Sequence, residues 1–147
     1  MYNLSKLSER LKELMFDHGN MKSEALAAEI GVMGTSVRNW INGTYEITLA
    51  NAIKLADYFQ CSLDYLTGLR ENYETVFPRD LPPFYLRLRE VMRELGITRY
   101  KIAHSKNFSD SYFTNWASGE QPKLATVCAL ADYLNVSLDY LVGRTDY

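Results

Sequence analysis

Apolar residues recur along this chain at helical spacing. Leu4, Leu7, Leu11, Leu14 and Met15 fall on one face of a helix, and so do Phe84, Leu88, Val91, Met92 and Leu95. SEALAAEI, residues 23 to 30, forms a second short helix that Gly31 ends, since glycine suits the left-handed position after a helix. After a tight turn, a third helix is predicted from about Thr35 to Ile41, stopping at Asn42-Gly43; its later counterpart runs from about Asp110 to Ala117, before Ser118-Gly119. Ser109 supplies an N-cap to that counterpart, with Phe108 and Phe113 at hydrophobic-staple spacing around it; Val32 and Val37 hold the same places earlier. Leu49 to Gln60 and Leu124 to Asn135 carry the next helical patterns. Two SLDYL segments, opened by Ser62 and Ser137 with Asp64 and Asp139 in the first turn, end at Gly68 and Gly143. No stretch alternates as a strand does, so the chain reads as all-α.

These elements come in duplicate. LADYFQCSLDYLTG, residues 55 to 68, returns as LADYLNVSLDYLVG, residues 130 to 143, an offset of 75; NWING and NWASG lie 76 apart, and RLKELM and RLREVM 77 apart. Single-residue loop differences account for the drift. Each copy is a five-helix unit, giving a domain over residues 1–70, a linker over 71–83 and a more divergent domain over 84–147. The linker, ENYETVFPRDLPP, holds Pro78, Pro82 and Pro83, which remove backbone donors and push their predecessors toward extended conformation. It reads as a semi-stiff spacer with a maximum reach of about 43 to 47 Å.

A chain of 147 residues, 47% hydrophobic and 23% charged, has ordinary globular composition. Its net charge of −2 argues against indiscriminate coating of DNA but leaves room for a local basic face. Cys61 and Cys128 lack metal-ligand spacing and read as reduced, buried thiols. His18 and His104 stand without ligand partners and read as solvated. The opening residues carry no signal-peptide pattern and no apolar run approaches a membrane span, so a cytoplasmic protein is expected. No nucleophile elbow, phosphate loop or metal cluster is present, so no enzymatic activity and no cofactor are expected.

The ordered set of an RLKEL first helix, ALAAEIGV, a turn, TSVRNWING and a LADYFQCSLDYLTG ending, occurring twice, resembles the lambda-repressor-like (Xre/Cro) helix-turn-helix family. The resemblance implies two tandem helix-turn-helix domains, double-stranded DNA as partner, and a bacterial or phage source. It places base-reading positions on Gly34, Thr35, Ser36, Arg38 and Asn39, and phosphate contacts at Lys22, Ser23, Asn42, Thr44 and Tyr45. Arg can hold guanine's major-groove edge and Asn adenine's with two hydrogen bonds each, while Thr offers a hydroxyl and a methyl. In the second copy, Arg99, Asp110, Ser111, Thr114 and Asn115 are the corresponding candidates.

The second copy departs from the family pattern: Asn107 replaces the turn glycine, Lys106 stands at a usually apolar position, and Asp110 occupies a leading contact position where phosphates would repel it unless it accepts from cytosine. Trp40 and Trp116 read as core residues, and Tyr58, Tyr65, Tyr133 and Tyr140 as packing or a dimer surface. Arg87, Arg89 and Arg93 fit either a phosphate face or a solvated helix face. The expected function is a sequence-specific transcriptional regulator, of repressor type, that reads the major groove with the third helix of the first copy, the second copy either reading a further half-site or supporting dimerisation, and that acts as a homodimer or as a pseudo-twofold monomer. The alternative is a helix-turn-helix-derived protein-interaction or dimerisation module with weak or no DNA binding.

Overall fold

The computed structural model describes residues 2–105 and 107–147, so Lys106 lies outside the described residues. Ten helices and no strands are present among them. The first repeat holds α1 (Leu4–Asp17), α2 (Ser23–Ile30), α3 (Gly34–Asn42), α4 (Leu49–Phe59) and α5 (Leu63–Leu66); the second holds α6 (Phe84–Leu95), α7 (Arg99–Ala103), α8 (Asp110–Ala117), α9 (Leu124–Leu134) and α10 (Leu138–Val142).

Helix ends follow local chemistry. Asn3, Thr48, Ser62, Thr98, Ser109 and Ser137 each accept a backbone N–H through the side chain at a helix start. Gly31 ends α2 at φ 74°, and Gln60 and Asn135 take the same left-handed position after α4 and α9. These last two are non-glycine residues, so each carries a local cost that the packing around it offsets.

Leu7, Leu11, Leu26, Val37, Trp40, Leu55 and Leu66 form the core of the first repeat, and Leu88, Val91, Ile102, Phe113, Trp116, Val127 and Leu141 that of the second. Both tryptophans are buried, as expected from the area they remove from water. Leu95 departs from its expected place: it is 41% exposed, because α6 reaches Gly96 just beyond it and the helix end leaves the core. Arg87 also differs from a solvated or phosphate-facing residue. It is buried against Tyr140, donating to that residue's carbonyl and to Glu90, with its guanidinium 4.8 Å from the Tyr140 ring. Arg10 lies over Tyr65 in the same way in the first repeat.

The repeats pack directly on each other, and their contacts are reciprocal. Leu49 N–H donates to the Pro122 carbonyl and Leu124 N–H to the Ile47 carbonyl, both at 2.9 Å, around an antiparallel pairing of Thr48 with Lys123. Each bond is the image of the other under the repeat offset. The same exchange occurs between α5 and α10, where Asp139 accepts from Leu63 N–H at 2.9 and 3.1 Å and Asp64 accepts from Leu138 N–H at 3.3 Å. Residue i meeting j while j's counterpart meets i's is the pattern of an isologous interface, here made within one chain.

The connector does not hang free. Thr75 pairs with Cys61, Ser62 N–H donates to Glu74, Val76 N–H donates to Gln60, and Val76 itself is buried. The Tyr73 hydroxyl donates to the Phe59 and Gln60 carbonyls, and farther along Arg79 meets Asp146 at 2.8 Å. The connector holds no helix, and its middle is packed on the first repeat around Thr75 and Val76.

One cation completes the seam. Arg144, fully buried, donates to Asp57 of α4 at 3.0 Å and to Asp139 of α10. Its counterpart in the first repeat is Leu69, so Asp64 has no such partner. Burial, followed by the neighbouring Asp139 carboxylate, pushes the Asp64 carboxyl up to about 6.

Two measurements test this seam. Replacing Arg144 with Met leaves Asp139 buried without its counter-ion and should lower unfolding free energy in urea by about 3–5 kcal/mol. The folded chain also keeps the Asp64 proton to a higher pH than the unfolded chain, whose ordinary value is about 4. The Asp64 contribution is therefore fully present below that value and is lost as pH rises through about 6. Urea midpoints of Asp64→Asn should lack this segment of the wild-type pH dependence.

Candidate nucleic-acid interface

Each repeat sets its third helix across its second. In the first, α2 ends at Gly31, whose N–H returns to the Ala27 carbonyl, and Val32 N–H bonds the same carbonyl. This doubled bond tightens the turn into α3. Val37 and Trp40 then anchor α3 inward, leaving Thr35 and Arg38 exposed and Gly34, Ser36 and Asn39 partly covered on the outer side. Asn42, the last residue of α3, is exposed, and beyond Gly43, at φ 65°, Thr44 and Tyr45 stand in solvent on the loop leaving the helix. Lys22, exposed, and Ser23, partly covered, stand at the head of α2.

The first repeat leaves the heads of both helices uncapped by side chains: Lys22 and Met33 occupy the N-cap positions without bonding to the helix amides. Those N–H groups and the positive end of each helix dipole favour an anion. In the second repeat, Thr98 and Ser109 fill the corresponding positions and bond Lys101 N–H and Ser111 N–H. The second helix is also shorter there, five residues against eight. Asn107, at the place of the turn glycine, follows directly on the undescribed residue.

A cross-helix ion pair joins second and third helices in both repeats, with opposite polarity. In the first, Arg38 of α3 pairs with Glu24 of α2, and the missing side chain of Gly34 gives the carboxylate room: a Cβ there would stand 3.0 Å from Glu24 Oε1. In the second, the cation is Arg99 on α7 and the acid is Asp110 on α8. Arg99 Nε donates to Asp110 Oδ1 at 2.8 Å; its Nη2 donates to Asp110 Oδ2 at 3.1 Å, to the Asp110 carbonyl at 3.1 Å and to Thr114 Oγ1 at 3.0 Å. This bonding holds the Asp110 carboxyl below the usual carboxylate range and raises Arg99 further, so both stay ionised.

Among the other candidates, the Ser111 hydroxyl is bonded to the Ser109 hydroxyl at 2.8 Å. The Asn115 side chain is exposed while its carbonyl accepts from Ser118 Oγ and Glu120 N–H. Beside them, exposed Tyr100 stacks on His104 with ring centroids 3.8 Å apart. Glu24 escaped the sequence reading, because nothing in linear order couples it to a residue on the next helix. No group of three or more His, Cys, Asp or Glu among the described residues is placed to hold a metal, and no described helix is long and apolar enough to cross a membrane.

Two compact helical units, each presenting a third helix with hydrogen-bonding side chains outward, make this a tandem helix-turn-helix protein. The helix-turn-helix family model matches the chain twice, over residues 11–66 and 88–141, and the chain belongs to the Xre/lambda-repressor-like helix-turn-helix family, a family of DNA-binding regulators. Comparison with curated proteins and with solved structures gives no match.

The Arg38–Glu24 pair is solvent-exposed, with side-chain exposures of 49% and 70%, so Arg38 gives up little by leaving it. Glu24→Gln should change unfolding free energy by less than about 1 kcal/mol in urea. It should also tighten binding to random-sequence duplex in fluorescence anisotropy, by removing a carboxylate beside the uncapped head of α2.

Proposed function

We propose that this chain is a sequence-specific DNA-binding transcriptional regulator, of repressor type, in which one molecule does the work of a dimer. The units are residues 1–70 and 84–147, with 71–83 as connector, and the medium is the cytoplasm. The observation that carries the reading is the reciprocal seam. It relates two family-matching units by a local twofold, the symmetry by which paired helix-turn-helix units address half-sites about 34 Å apart on one face of a duplex. Tandem copies in sequence would also suit a direct repeat of half-sites; the seam favours an inverted one.

In the first half, Thr35, Arg38 and Asn39 read bases, with Gly34 and Ser36 at the groove edge. Lys22, Ser23, Asn42 and Thr44 hold phosphates. The uncapped heads of α2 and α3 support this assignment, since their free amides suit phosphate oxygens. In the second half, Arg99, Ser111, Thr114 and Asn115 face DNA. The two heads differ in residue type at these places, so the half-sites differ in sequence. Net charge plays little part, because the field that counts is that of the contacting face.

In-vitro selection from a random duplex library tests this directly. The expected product is an inverted pair of unequal half-sites, bound with strong salt dependence, and Arg38→Ala should cost about 1–3 kcal/mol on the selected site. An enriched direct repeat would sink the twofold geometry. No enriched sequence and a flat salt dependence would instead make the chain a protein-interaction module.

A further inference from the structure

The reversed ion pair in the second repeat does more than hold two helices together. A carboxylate at the start of a groove-facing helix is repelled by phosphates, and the most direct escape is to accept from cytosine's amino group. Asp110 is already engaged: both carboxylate oxygens accept from Arg99, whose charge offsets its own. The guanidinium is fixed along its Nε and Nη2 edge, and its Nη1 makes no bond to Asp110 or Thr114; the Tyr85 hydroxyl lies beside the same guanidinium. The fourth bond matters equally. Thr114 Oγ1 accepts from Nη2, so its own hydrogen is turned away from Arg99 and remains to be donated.

We propose that Asp110 is a positioning residue: it fixes Arg99 so that Arg99 Nη1 and the Thr114 hydroxyl present paired donors, a combination that selects guanine, whose major-groove edge offers two acceptors, N7 and O6. The other bases do not offer this edge: adenine replaces one acceptor by an amino donor, thymine has one acceptor beside a methyl, and cytosine presents a donor. Arginine suits the task because its planar fork keeps a fixed direction once one edge is bound, which a lysine ammonium cannot do. Arg99 is partly covered, packed 5.2 Å from the Phe113 ring centroid, so the fork is restrained from its inner side as well. The first repeat has no equivalent. There the cation is Arg38 on the reading helix itself, and the acid stands behind it on α2.

This inference rests on the DNA-reading function, and its test keeps the two apart by scoring each half-site separately. The intact protein and its Asp110→Asn, Arg99→Lys and Thr114→Val variants are each subjected to selection, then titrated on the winning duplex and on duplexes with single changes in either half. Circular dichroism melting confirms that each variant is folded. The wild type should prefer guanine at one position of the second half-site. Asp110→Asn should reduce that preference about tenfold while leaving the first half-site's motif unchanged. Arg99→Lys should lose the same preference yet keep the salt slope, since its charge remains. Thr114→Val should weaken it in part.

Several results overturn the proposal. If Asp110→Asn tightens binding to every sequence equally, Asp110 is only a repulsive charge. A cytosine preference lost in Asp110→Asn but kept in Arg99→Lys makes the aspartate the reader. A motif confined to the first half-site leaves the DNA-reading function standing and removes this one. No motif in either half removes both.

Discussion

Two short helices, α5 and α10, meet head to head, and at each head a buried aspartate accepts the first backbone amide of the other helix. The first N–H groups of any helix lack partners within it, and a carboxylate lacks a counter-charge once buried. Each deficit here answers the other across the seam. A carboxylate near a helix N-terminus also lies at the positive end of the dipole, so both ends contribute. With Thr48 paired to Lys123 at the other side of the contact, the relative orientation of the repeats is held by directional bonds as well as by apolar area.

The exchange is nearly symmetric, but the charges around it are not. Arg144 compensates Asp139 of its own repeat and Asp57 of the other, while Leu69 leaves Asp64 dependent on the Leu138 amide and on retaining a proton at higher pH than a free aspartate would. A similar divergence runs through the outward faces. The first repeat keeps uncapped helix heads and an arginine on its third helix; the second caps both heads and moves the arginine to its second helix. Packing positions such as Trp40 and Trp116 match, whereas the exposed positions between them differ.

Most of the helical framework was legible in the sequence because it is set by short-range rules. Apolar spacing marked the helices, SLDYL carried its own caps, and a literal repeat divided the chain. Arg87 was misread as a surface residue because a helix-face argument sees neighbours on that helix and not Tyr140, which arrives from another. Arg144 gave no signal at all: what makes it structural is the pair of acids that tertiary folding sets around it. The seam was hidden for the same reason, since aspartates in a first turn look like local capping residues until a second helix head is placed opposite. For the candidate interface, the family resemblance supplied candidate positions, but the pairing of Arg99 with Asp110 and Thr114 depends on the angle between α7 and α8 and could not be read from spacing.

The stretch of connector zipped onto the end of α4 has a kinetic meaning of its own. With Thr75 bridged to Cys61 and Val76 buried, the second repeat is delivered close to its docking surface as soon as the first has folded, so it searches a small volume. A tether that short keeps the effective concentration of one half around the other high, and it does not change when the solution is diluted. Formation of the seam is therefore a first-order event. The fraction of chains with both halves assembled is thus the same in a cell holding very few copies as in one holding many.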